Sequence, residues 1–387
     1  MNRQPRILAL AAYPERSAAT RFRLTQVLPY LRARGWDVGF EPFVEDDFLS
    51  GFYAEGNRLK KAAYLASRSL YRLASAVKTT GVDAVFIQRE AALIGPAYAE
   101  FILHSLKGLP IIFDFDDAIW HYDLPRSTHP IAARLLKDPA KCWYTMRRAA
   151  LVIAGSNYLA QRAREVNSKV EVVPTAVSST TWTPAPGRLE GAHAGEATLR
   201  IGWVGSYSTA HQLELAEPAL RQLRADGYDF EIHVVGAGDD FALGTVEVQS
   251  RPWRLDEEIQ EFQRIDIGLA PMHSEPVYEG KCGFKQIQYM AVGVPFVSSW
   301  VGGARDFVVD GENGLVAHSA EDWCRHLKAL LDSRELRRRL SQNGRRLVET
   351  RYCLEVQGPR VAQLVEGHCG ADQNTKPNRL LGDSDVP

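Results

Sequence analysis

Residues 266–295, with the sequence DIGLAPMHSEPVYEGKCGFKQIQYMAVGVP, predict the fold of the second half of the chain. An apolar strand is followed by a loop that contains Gly280 and Gly283, and the loop leads into an amphipathic helix. A glycine loop at a helix N-terminus presents unpaired backbone N–H groups and about half a positive charge. Lys281 and Lys285 place cationic side chains on either side of the turn. This βα unit therefore has the chemistry that binds a diphosphate.

The same strand–helix rhythm extends in both directions along the chain. Apolar strands are expected at residues 6–12, 38–43, 83–88, 110–115, 150–154 and 170–173, and again at 200–204, 230–235, 246–249, 266–270, 295–298 and 314–316. Helices are expected between them, notably at residues 20–34, 157–166, 213–226, 256–263 and 284–292. Alternating βα units predict parallel sheets covered by helices on both faces. The predicted fold class is α/β, with two Rossmann-like domains facing each other across a cleft.

Chain length and one break in the rhythm predict the domain limits. A chain of 387 residues exceeds one ordinary hydrophobic core, and residues 183–198 interrupt the pattern with Pro, Gly and Ala. A final helix at residues 335–366 is long enough to cross back and brace one domain against the other. We expect an N-terminal domain, a linker, a C-terminal domain, a returning helix and a disordered tail at residues 1–185, 186–198, 199–350, 351–366 and 367–387, respectively.

Composition restricts the class of protein. Hydrophobic residues make up 45% of the chain and charged residues 24%, which is typical of a soluble globular protein. The formal net charge of -1 gives no indication of a nucleic-acid partner. The 5 cysteines lie far apart and form no C-x-x-C pair, which argues against a disulfide framework or a zinc site. The N-terminal apolar run is too short for a signal peptide, and no run approaches the roughly 20 apolar residues of a membrane span, so we expect a cytoplasmic protein.

Residues 288–295, QYMAVGVP, carry a resemblance to a known family. Together with the preceding glycine loop they resemble the retaining glycosyltransferases of family 4, which have the GT-B fold. The resemblance implies a nucleotide-sugar donor bound mainly by the C-terminal half, transfer with retention of configuration, and no metal or other cofactor. Gln288 replaces the family's second glutamate, which binds the donor ribose. The first glutamate would fall on Gly280, and either Glu279 or Glu275 replaces it as the acid that contacts the sugar.

A second match lies at residues 201–211, IGWVGSYSTAH. The resemblance implies that this loop lies under the donor diphosphate. Relatives carry two basic residues in this region, whereas this chain has only His211, so Lys281, Lys285 or Arg254 is expected to carry more of the phosphate charge. The predicted donor-binding residues are Gly205, Ser206, Thr209, His211, Arg254, Lys281, Gly283, Phe284, Lys285 and Gln288.

The N-terminal half is expected to bind the acceptor, which is a sugar, a lipid-linked molecule or a small molecule. Arg21 follows the first strand, Arg89 ends the third, and Asp114, Asp116 and Asp117 end the fourth. Three neighbouring carboxylates suit acceptor binding or acid/base assistance; metal binding and helix capping are the alternatives. A surface position is the alternative for Arg21. The predicted acceptor-binding residues are Arg21, Arg89 and Asp114, and the predicted catalytic residues are Glu279, Lys285, Asp116 and Asp117.

Three other activities are alternatives to sugar transfer, and the surface helix Arg58–Lys78 is open to two interpretations. A nucleotide-sugar 2-epimerase of the same fold and a non-catalytic GT-B-like protein are alternatives to a transferase. A nicotinamide-dependent oxidoreductase is disfavoured, because residues 234–241, VVGAGDDF, lack the third glycine of a dinucleotide fingerprint. The basic helix Arg58–Lys78 either docks on an anionic membrane surface or, as we expect, places a buried apolar stripe beneath a solvated basic face.

Overall fold

A computed structural model of the chain describes residues 3–53, 58–121, 138–191 and 198–369. They form two parallel sheets with the predicted α/β architecture. Each predicted strand segment overlaps an observed strand, and the predicted fold class is confirmed.

The first sheet has the strand order β2-β1-β3-β4-β5-β6. Its strands are Arg6–Ala11 (β1), Asp37–Pro42 (β2), Ala84–Gln88 (β3), Ile111–Phe115 (β4), Leu151–Ala154 (β5) and Val170–Val172 (β6). Its helices are Ala18–Thr20 (α1), Leu28–Ala33 (α2), Asp46–Tyr53 (α3), Arg58–Lys78 (α4), Tyr98–Phe101 (α5), Ala140–Arg148 (α6) and Asn157–Arg164 (α7), with π-helical turns at Arg21–Thr25 and Ile102–Leu106. The strand order reverses between β1 and β3, which opens a crevice at the carboxyl ends of these strands.

The second sheet has the strand order β12-β11-β10-β7-β8-β9. Its strands are Leu199–Val204 (β7), Phe230–Val235 (β8), Gln249–Arg251 (β9), Ile267–Ala270 (β10), Phe296–Ser299 (β11) and Leu315–Ala317 (β12). Its helices are Glu217–Ala225 (α8), Glu258–Gln263 (α9), Phe284–Ala291 (α10), Ala320–Asp332 (α11) and Arg334–Leu347 (α12), and Leu354–Cys369 (α13) follows them. Here the strand order reverses between β7 and β10, so the two motifs singled out in the sequence lie at one switch point.

The predicted final helix is two helices. The chain leaves α12 through a π-helical turn, Val348–Tyr352, and Cys353 is extended (φ -93°, ψ 156°) before α13 begins. Cys353 forms a parallel bridge with Val177, and the Leu354 N–H donates to the carbonyl of the same valine. These contacts redirect the chain toward the first domain. Neither glycine nor proline occurs at the break, so the pattern of the sequence alone does not indicate it.

Helix α13 returns to the first domain, as expected. Val361, Ala362 and Val365 pack in one core with Ile7 and Ala9 of β1. The helix extends to Cys369, three residues beyond the predicted limit, while residues 370–387 of the predicted tail and residues 192–197 of the predicted linker lie outside the described residues. The domain limits themselves stay a prediction.

The expected orientation of α4 is wrong. Leu59, Leu70 and Val77 are 89%, 68% and 56% exposed, whereas Arg72 is buried. The reason is electrostatic: the Arg72 guanidinium donates to the carboxylate of Glu41 on β2, which holds the Arg72 side of the helix against the protein. The apolar face consequently points outward. Among the described residues, no helix is both long and apolar enough to cross a bilayer.

Candidate functional site

Gly205 forms the floor of the site at the end of β7. A Cβ atom at this position would overlap the Trp203 ring and lie 2.9 Å from Nζ of Lys285. The Gly205 N–H donates to the carbonyl of Val235 at 3.0 Å, which fixes the loop to β8. Any side chain larger than hydrogen would therefore displace the lysine or the indole. Gly205 is required for close approach, as in phosphate-binding loops.

Lys285 lies on the first turn of α10 and reaches back beneath this loop. Its ammonium donates to the carbonyl of Val204 and lies 4.2 Å from the centre of the Trp203 ring. Burial lowers the pKa of Lys285 to about 7. Among the described residues, no carboxylate forms an ion pair with it, so burial is not offset by a negative charge. The site thus holds a cation that an incoming anion would stabilise.

Gly283 sets the geometry of the helix entrance. It has φ +69° and ψ 28°, the left-handed conformation that glycine adopts without steric cost, immediately before Phe284 begins α10. A Cβ atom here would lie 3.0 Å from the Ala304 nitrogen. The Phe284 ring then packs at 4.6 Å from the ring of Phe22 in the first domain. Gly283 therefore shapes the turn, and Phe284 contacts the opposite domain.

Lys281, the other predicted phosphate contact, faces the first domain. Its ammonium forms an ion pair with Oδ2 of Asp117 at 2.7 Å. The neighbouring Cys282 thiol donates to the Asp116 carbonyl at 3.0 Å, and a Cβ on Gly280 would overlap Ala118. The loop before α10 is thus packed against the end of β4. Lys281 is neutralised by a carboxylate in this arrangement, unlike Lys285.

Arg89 links two of the predicted catalytic carboxylates. Its Nε atom donates to Oδ1 of Asp116 at 2.7 Å, and its Nη2 lies 3.8 Å from Oδ2 of Asp117. Among the described non-glycine residues it alone has a positive φ, +61°. A non-glycine residue in this region costs about 1–3 kcal/mol and is common at functional sites. Although burial acts against it, the pKa of Asp116 is lowered by Arg89, so the carboxylate is ionised.

Asp114 occupies a more buried position than its neighbours. It is 2% exposed and forms a bidentate ion pair with Arg23, with N–O distances of 3.1 and 2.5 Å. Burial raises the pKa of Asp114 to about 6, against the opposing charge of Arg23. Arg23 also donates to the carbonyl of Val173 at 2.7 Å. Asp114 therefore holds the helix after β1 to the sheet, and its acceptor role stays a prediction.

Arg21 crosses between the domains. Its Nη2 atom lies 2.6 Å from Oε2 of Glu258, at the start of α9, and both side chains are mostly buried. The Arg21 guanidinium also stacks over the Phe22 ring at 4.5 Å. The alternative of a surface arginine is wrong, because the side chain is 17% exposed and paired.

The two candidates for the sugar-contacting acid have different surroundings. Glu279 is held by Arg305 through contacts of 2.6 and 3.1 Å and accepts from the Gly302 N–H at 3.3 Å. Glu275 is exposed, and it forms no ion pair in the part of the chain that the structure describes. Glu279 orders the adjoining loops, while Glu275 has an available carboxylate.

The remaining predicted donor residues differ in position and burial. Thr209 donates to the carbonyl of Ser206 at 3.1 Å, and His211 meets the Tyr278 hydroxyl at 3.1 Å. Gln288 is 7% exposed within α10. Arg254 lies on the surface and pairs with Asp256 at 3.0 Å, which places its charge against a carboxylate.

No cluster of three or more His, Cys, Asp or Glu side chains that could hold a metal ion occurs in the described ranges. Asp114, Asp116 and Asp117 each pair with a cation instead, although they are neighbours in sequence. Their roles in catalysis and acceptor binding stay predictions.

Several residues that order the site were not selected from the sequence. Arg23 and Arg305 pair within one domain, whereas Cys282, Glu258 and Asp306 join the two domains. Asp306 accepts from the Asn157 N–H at 2.8 Å and so helps to cap α7 across the cleft. The contacts between the domains depend on how the domains face each other, and no short motif carries that information. The Gly302–Gly303 pair just before Arg305 is the signal that was available.

Comparison with known proteins agrees with this geometry. Residues 198–333 match the family model described as "Glycosyl transferases group 1". The matched segment is similar to the domain of the group 1 glycosyltransferases. In line with this, the chain is 28% identical over 181 residues to a D-inositol 3-phosphate glycosyltransferase of Arthrobacter sp. (strain FB24). The match covers 42% of this chain and 42% of that relative, so less than half of the relative's length is represented.

Solved structures show that the group 1 domain is one half of a GT-B fold. A sucrose-phosphate synthase from Thermosynechococcus elongatus superposes with a TM-score of 0.68 at 15% identity, over 94% of this chain and 99% of that one. Anabaena Alr3699/HepE, determined in complex with UDP-glucose, superposes with a TM-score of 0.63 at 14% identity, over 94% and 99%. At such identities the likeness concerns the fold alone.

Proposed function

We propose that the protein transfers a sugar from a nucleotide-diphosphate sugar to an acceptor hydroxyl, with retention of configuration and without a metal ion. The observation that carries this proposal is Lys285, a buried cation without a carboxylate partner among the described residues, at the β7/β10 switch point of a group 1 domain. A switch point is where open α/β sheets bind their ligands.

The donor diphosphate is the group whose charge grows as the sugar leaves. In the proposed complex its oxygens lie over Gly205 and the N-terminus of α10, where Lys285 compensates the negative charge. A cationic hydrogen-bond donor that already points at the leaving oxygens lowers the barrier, because it need not reorganise as their charge grows. Gln288 would contact the ribose with its amide, which both donates and accepts. Cationic compensation of this kind replaces the usual role of a divalent ion.

On the sugar side, we assign the acid to Glu275. Glu279 is already engaged by Arg305 and the Gly302 N–H, whereas the Glu275 side chain is exposed and forms no ion pair in the described ranges. Glu279 acts on this assignment as a positioning residue that holds the loop before α10. Glu275→Gln should therefore lower turnover more than Glu279→Gln does, provided that the two variants are equally stable.

The acceptor is proposed to bind at the ends of β3 and β4. Asp116 and Asp117 are partly exposed carboxylates that Arg89 orients toward the facing domain. A hydroxyl held by one of them would lie opposite the α10 entrance, and separation of the Lys281–Asp117 pair would admit it. Domain closure afterwards would exclude water and limit donor hydrolysis.

A nucleotide screen tests this function. Thermal shift of the full chain is measured with uridine, adenosine and guanosine diphosphates and their sugar conjugates; uridine diphosphate comes first because a structural neighbour was determined with it. Stabilisation by at least one diphosphate is expected. No stabilisation by any of them, with the domain folded, would refute the donor site.

The product distinguishes transfer from its alternatives. With an accepted sugar donor and a panel of hydroxyl acceptors, proton NMR is expected to show a product of the donor's own anomeric configuration, with turnover unchanged by a chelator. Conversion of the donor without any acceptor to its C2 epimer would establish the epimerase instead. Binding without turnover on any acceptor would favour the non-catalytic protein.

A further inference from the structure

A cavity lies in the first domain, apart from the cleft. It occupies about 360 Å³ between α4 and the face of the sheet on which Arg6 and Leu8 of β1 lie. These two residues are in the first half of β1, whereas the proposed acceptor site is at the carboxyl ends of β3 and β4. The volume falls within the range of about 300–1,000 Å³ that is typical of small-molecule sites. None of the residues that line it belongs to the candidate donor or acceptor site.

Small residues leave this space open. Gly39 of β2 is the register partner of Leu8, and it lies on the same face of the sheet as Glu41, two residues further on. A Cβ atom built on Gly39 would have one atom within 4 Å apart from its chain neighbours, Nη2 of Arg6 at 3.8 Å. From the other side, α4 presents Ala74 to the cavity. Because neither Gly39 nor Ala74 fills the gap, the helix and the sheet stay apart here.

Hydrogen bonds hold α4 at this distance from the sheet. The Arg72 guanidinium bonds to the carboxylate and to the carbonyl of Glu41 at 3.1 and 2.9 Å. The Ser75 hydroxyl donates to the same carboxylate at 2.9 Å. Just beyond the end of the helix, Nζ of Lys107 donates to the Thr79 carbonyl at 2.8 Å. The walls of the cavity are therefore ordered before any ligand binds, which lowers the entropy cost of binding.

The polar groups that remain available in the cavity are mainly hydrogen-bond donors. Among the described residues, the Lys78 ammonium and the hydroxyl groups of Tyr71 and Thr80 have no hydrogen-bond or ion-pair partner. Arg6 has one carboxylate nearby, that of Asp37 at 3.3 Å, and the two side chains of this pair are 50% and 56% exposed. The carboxylate that lines the cavity is already compensated by the contacts of α4. The cavity consequently has an excess of positive charge.

A phosphate group on a sugar matches these walls. A phosphate monoester has a charge of about −1.5 to −2 at pH 7 and three acceptor oxygens, which suits two cations better than a single carboxylate does. The Tyr71 and Thr80 hydroxyls both donate and accept, as contacts with sugar hydroxyls require. Leu8 and Val82 form an apolar wall against which the C–H groups of a sugar ring can pack. Since about 360 Å³ is near the lower limit for ligand pockets, one sugar ring fits better than a nucleotide sugar.

We propose that this cavity binds a monosaccharide phosphate at a second site, separate from the donor cleft. Arg6 and Lys78 hold the phosphate group, and Tyr71 and Thr80 contact the hydroxyl groups of the sugar. The site goes beyond the proposed function and does not depend on it, because the cavity and the cleft share no residue.

Titration calorimetry with the full chain tests the proposal. The probes are glucose 6-phosphate, mannose 6-phosphate and fructose 6-phosphate, and at least one of them should bind with one-to-one stoichiometry. Glucose and inorganic phosphate are the control ligands. Each should bind at least about tenfold more weakly than the best sugar phosphate, because each lacks one part of the contacts.

Charge reversal at Lys78 locates the site. Lys78→Glu should weaken binding of the sugar phosphate by at least about tenfold, because attraction of the phosphate is replaced by repulsion. Lys60→Glu is the matched control, since Lys60 is an exposed lysine of the same helix that does not line the cavity. It should leave the affinity unchanged. Circular dichroism melting should be the same for both variants, because both lysines are exposed.

Lys285→Met separates this site from the donor cleft. Binding of the sugar phosphate should persist in this variant, because Lys285 lies in the other domain. Loss of binding in Lys285→Met, or unchanged binding in Lys78→Glu, would overturn the proposal. So would the absence of binding of all three sugar phosphates to the unaltered protein, or inorganic phosphate binding as tightly as they do. Donor binding is measured separately, by the thermal shift with nucleoside diphosphates, so failure of one proposal is distinguishable from failure of the other.

Discussion

The carboxyl ends of the two parallel sheets form the two edges of the cleft, and their charged side chains are compensated to different degrees. At the end of β4, Asp114, Asp116 and Asp117 each meet a cation at 2.5–2.7 Å, so the charges there are already compensated. At the end of β7, Lys285 is held against a carbonyl and an indole, and burial lowers its pKa to about 7. The charged side chains at the end of β4 balance one another without a ligand, whereas the end of β7 has too little negative charge to balance Lys285. The difference shows where an anion adds most stabilisation.

The largest expected effect comes from removing the unpaired cation. Lys285→Met keeps the length of the side chain and removes its charge. Turnover should fall by about 10²–10³-fold, because the ammonium that stabilises the leaving diphosphate is lost. The melting temperature should hold or rise, since a buried charge is replaced by an apolar group. Steady-state kinetics and calorimetric melting measure the two effects.

Lys281→Met is the matched control for Lys285→Met. Both lysines flank the same glycine turn, but Lys281 is neutralised by Asp117 at 2.7 Å. Equal losses of turnover in the two variants would contradict the contrast between the edges.

A steric change at the same edge should have the next largest effect. Gly205→Ala introduces a Cβ that overlaps the Trp203 ring and approaches Nζ of Lys285. We expect a loss of stability of about 1–3 kcal/mol from overpacking, with weaker donor binding. Urea unfolding and nucleotide titration provide the measurements. Gly367→Ala, at a site with no atom within 4 Å of the new Cβ, serves as the control. If donor affinity is unchanged in Gly205→Ala, the Gly205 loop is not part of the donor site.

The smallest effect is expected at the compensated edge. Asp117→Asn breaks an ion pair whose partners are 32% and 22% exposed, and such pairs contribute about 0–1 kcal/mol. Stability should change by less than about 1 kcal/mol in urea unfolding, and donor affinity should remain the same. Acceptor KM is the parameter expected to rise. A large loss of donor affinity would show that the two edges are not independent.

The sequence predicts the fold well because the βα rhythm is local. Each strand is a short apolar run, and the loop from Gly280 to Gly283 marks the start of the helix of the predicted donor site before any tertiary contact is known. Gly205 and Lys285 were likewise identifiable, since the motifs that contain them are contiguous.

Other features depend on contacts between distant residues. The sequence does not indicate that Lys281 pairs with Asp117 or that Arg21 pairs with Glu258 across the cleft. The break at Cys353 depends on its bridge to Val177, far away in the sequence. The orientation of α4 depends on Glu41, which binds Arg72 and so reverses the face that amphipathic periodicity would bury. In each case a long-range partner overrides the local pattern.

The most direct test of the account is the pH dependence of nucleotide-sugar binding, measured by titration calorimetry without acceptor. Burial lowers the pKa of Lys285 to about 7, and a bound diphosphate should raise it again by opposing charge. Above about pH 7 each binding event must therefore take up a proton at Lys285, and affinity should fall by up to about tenfold per pH unit. In Lys285→Arg, whose guanidinium stays charged, affinity should be independent of pH over the same range. The same slope in both proteins, or no proton uptake by the unaltered protein, would contradict the claim that Lys285 binds the diphosphate.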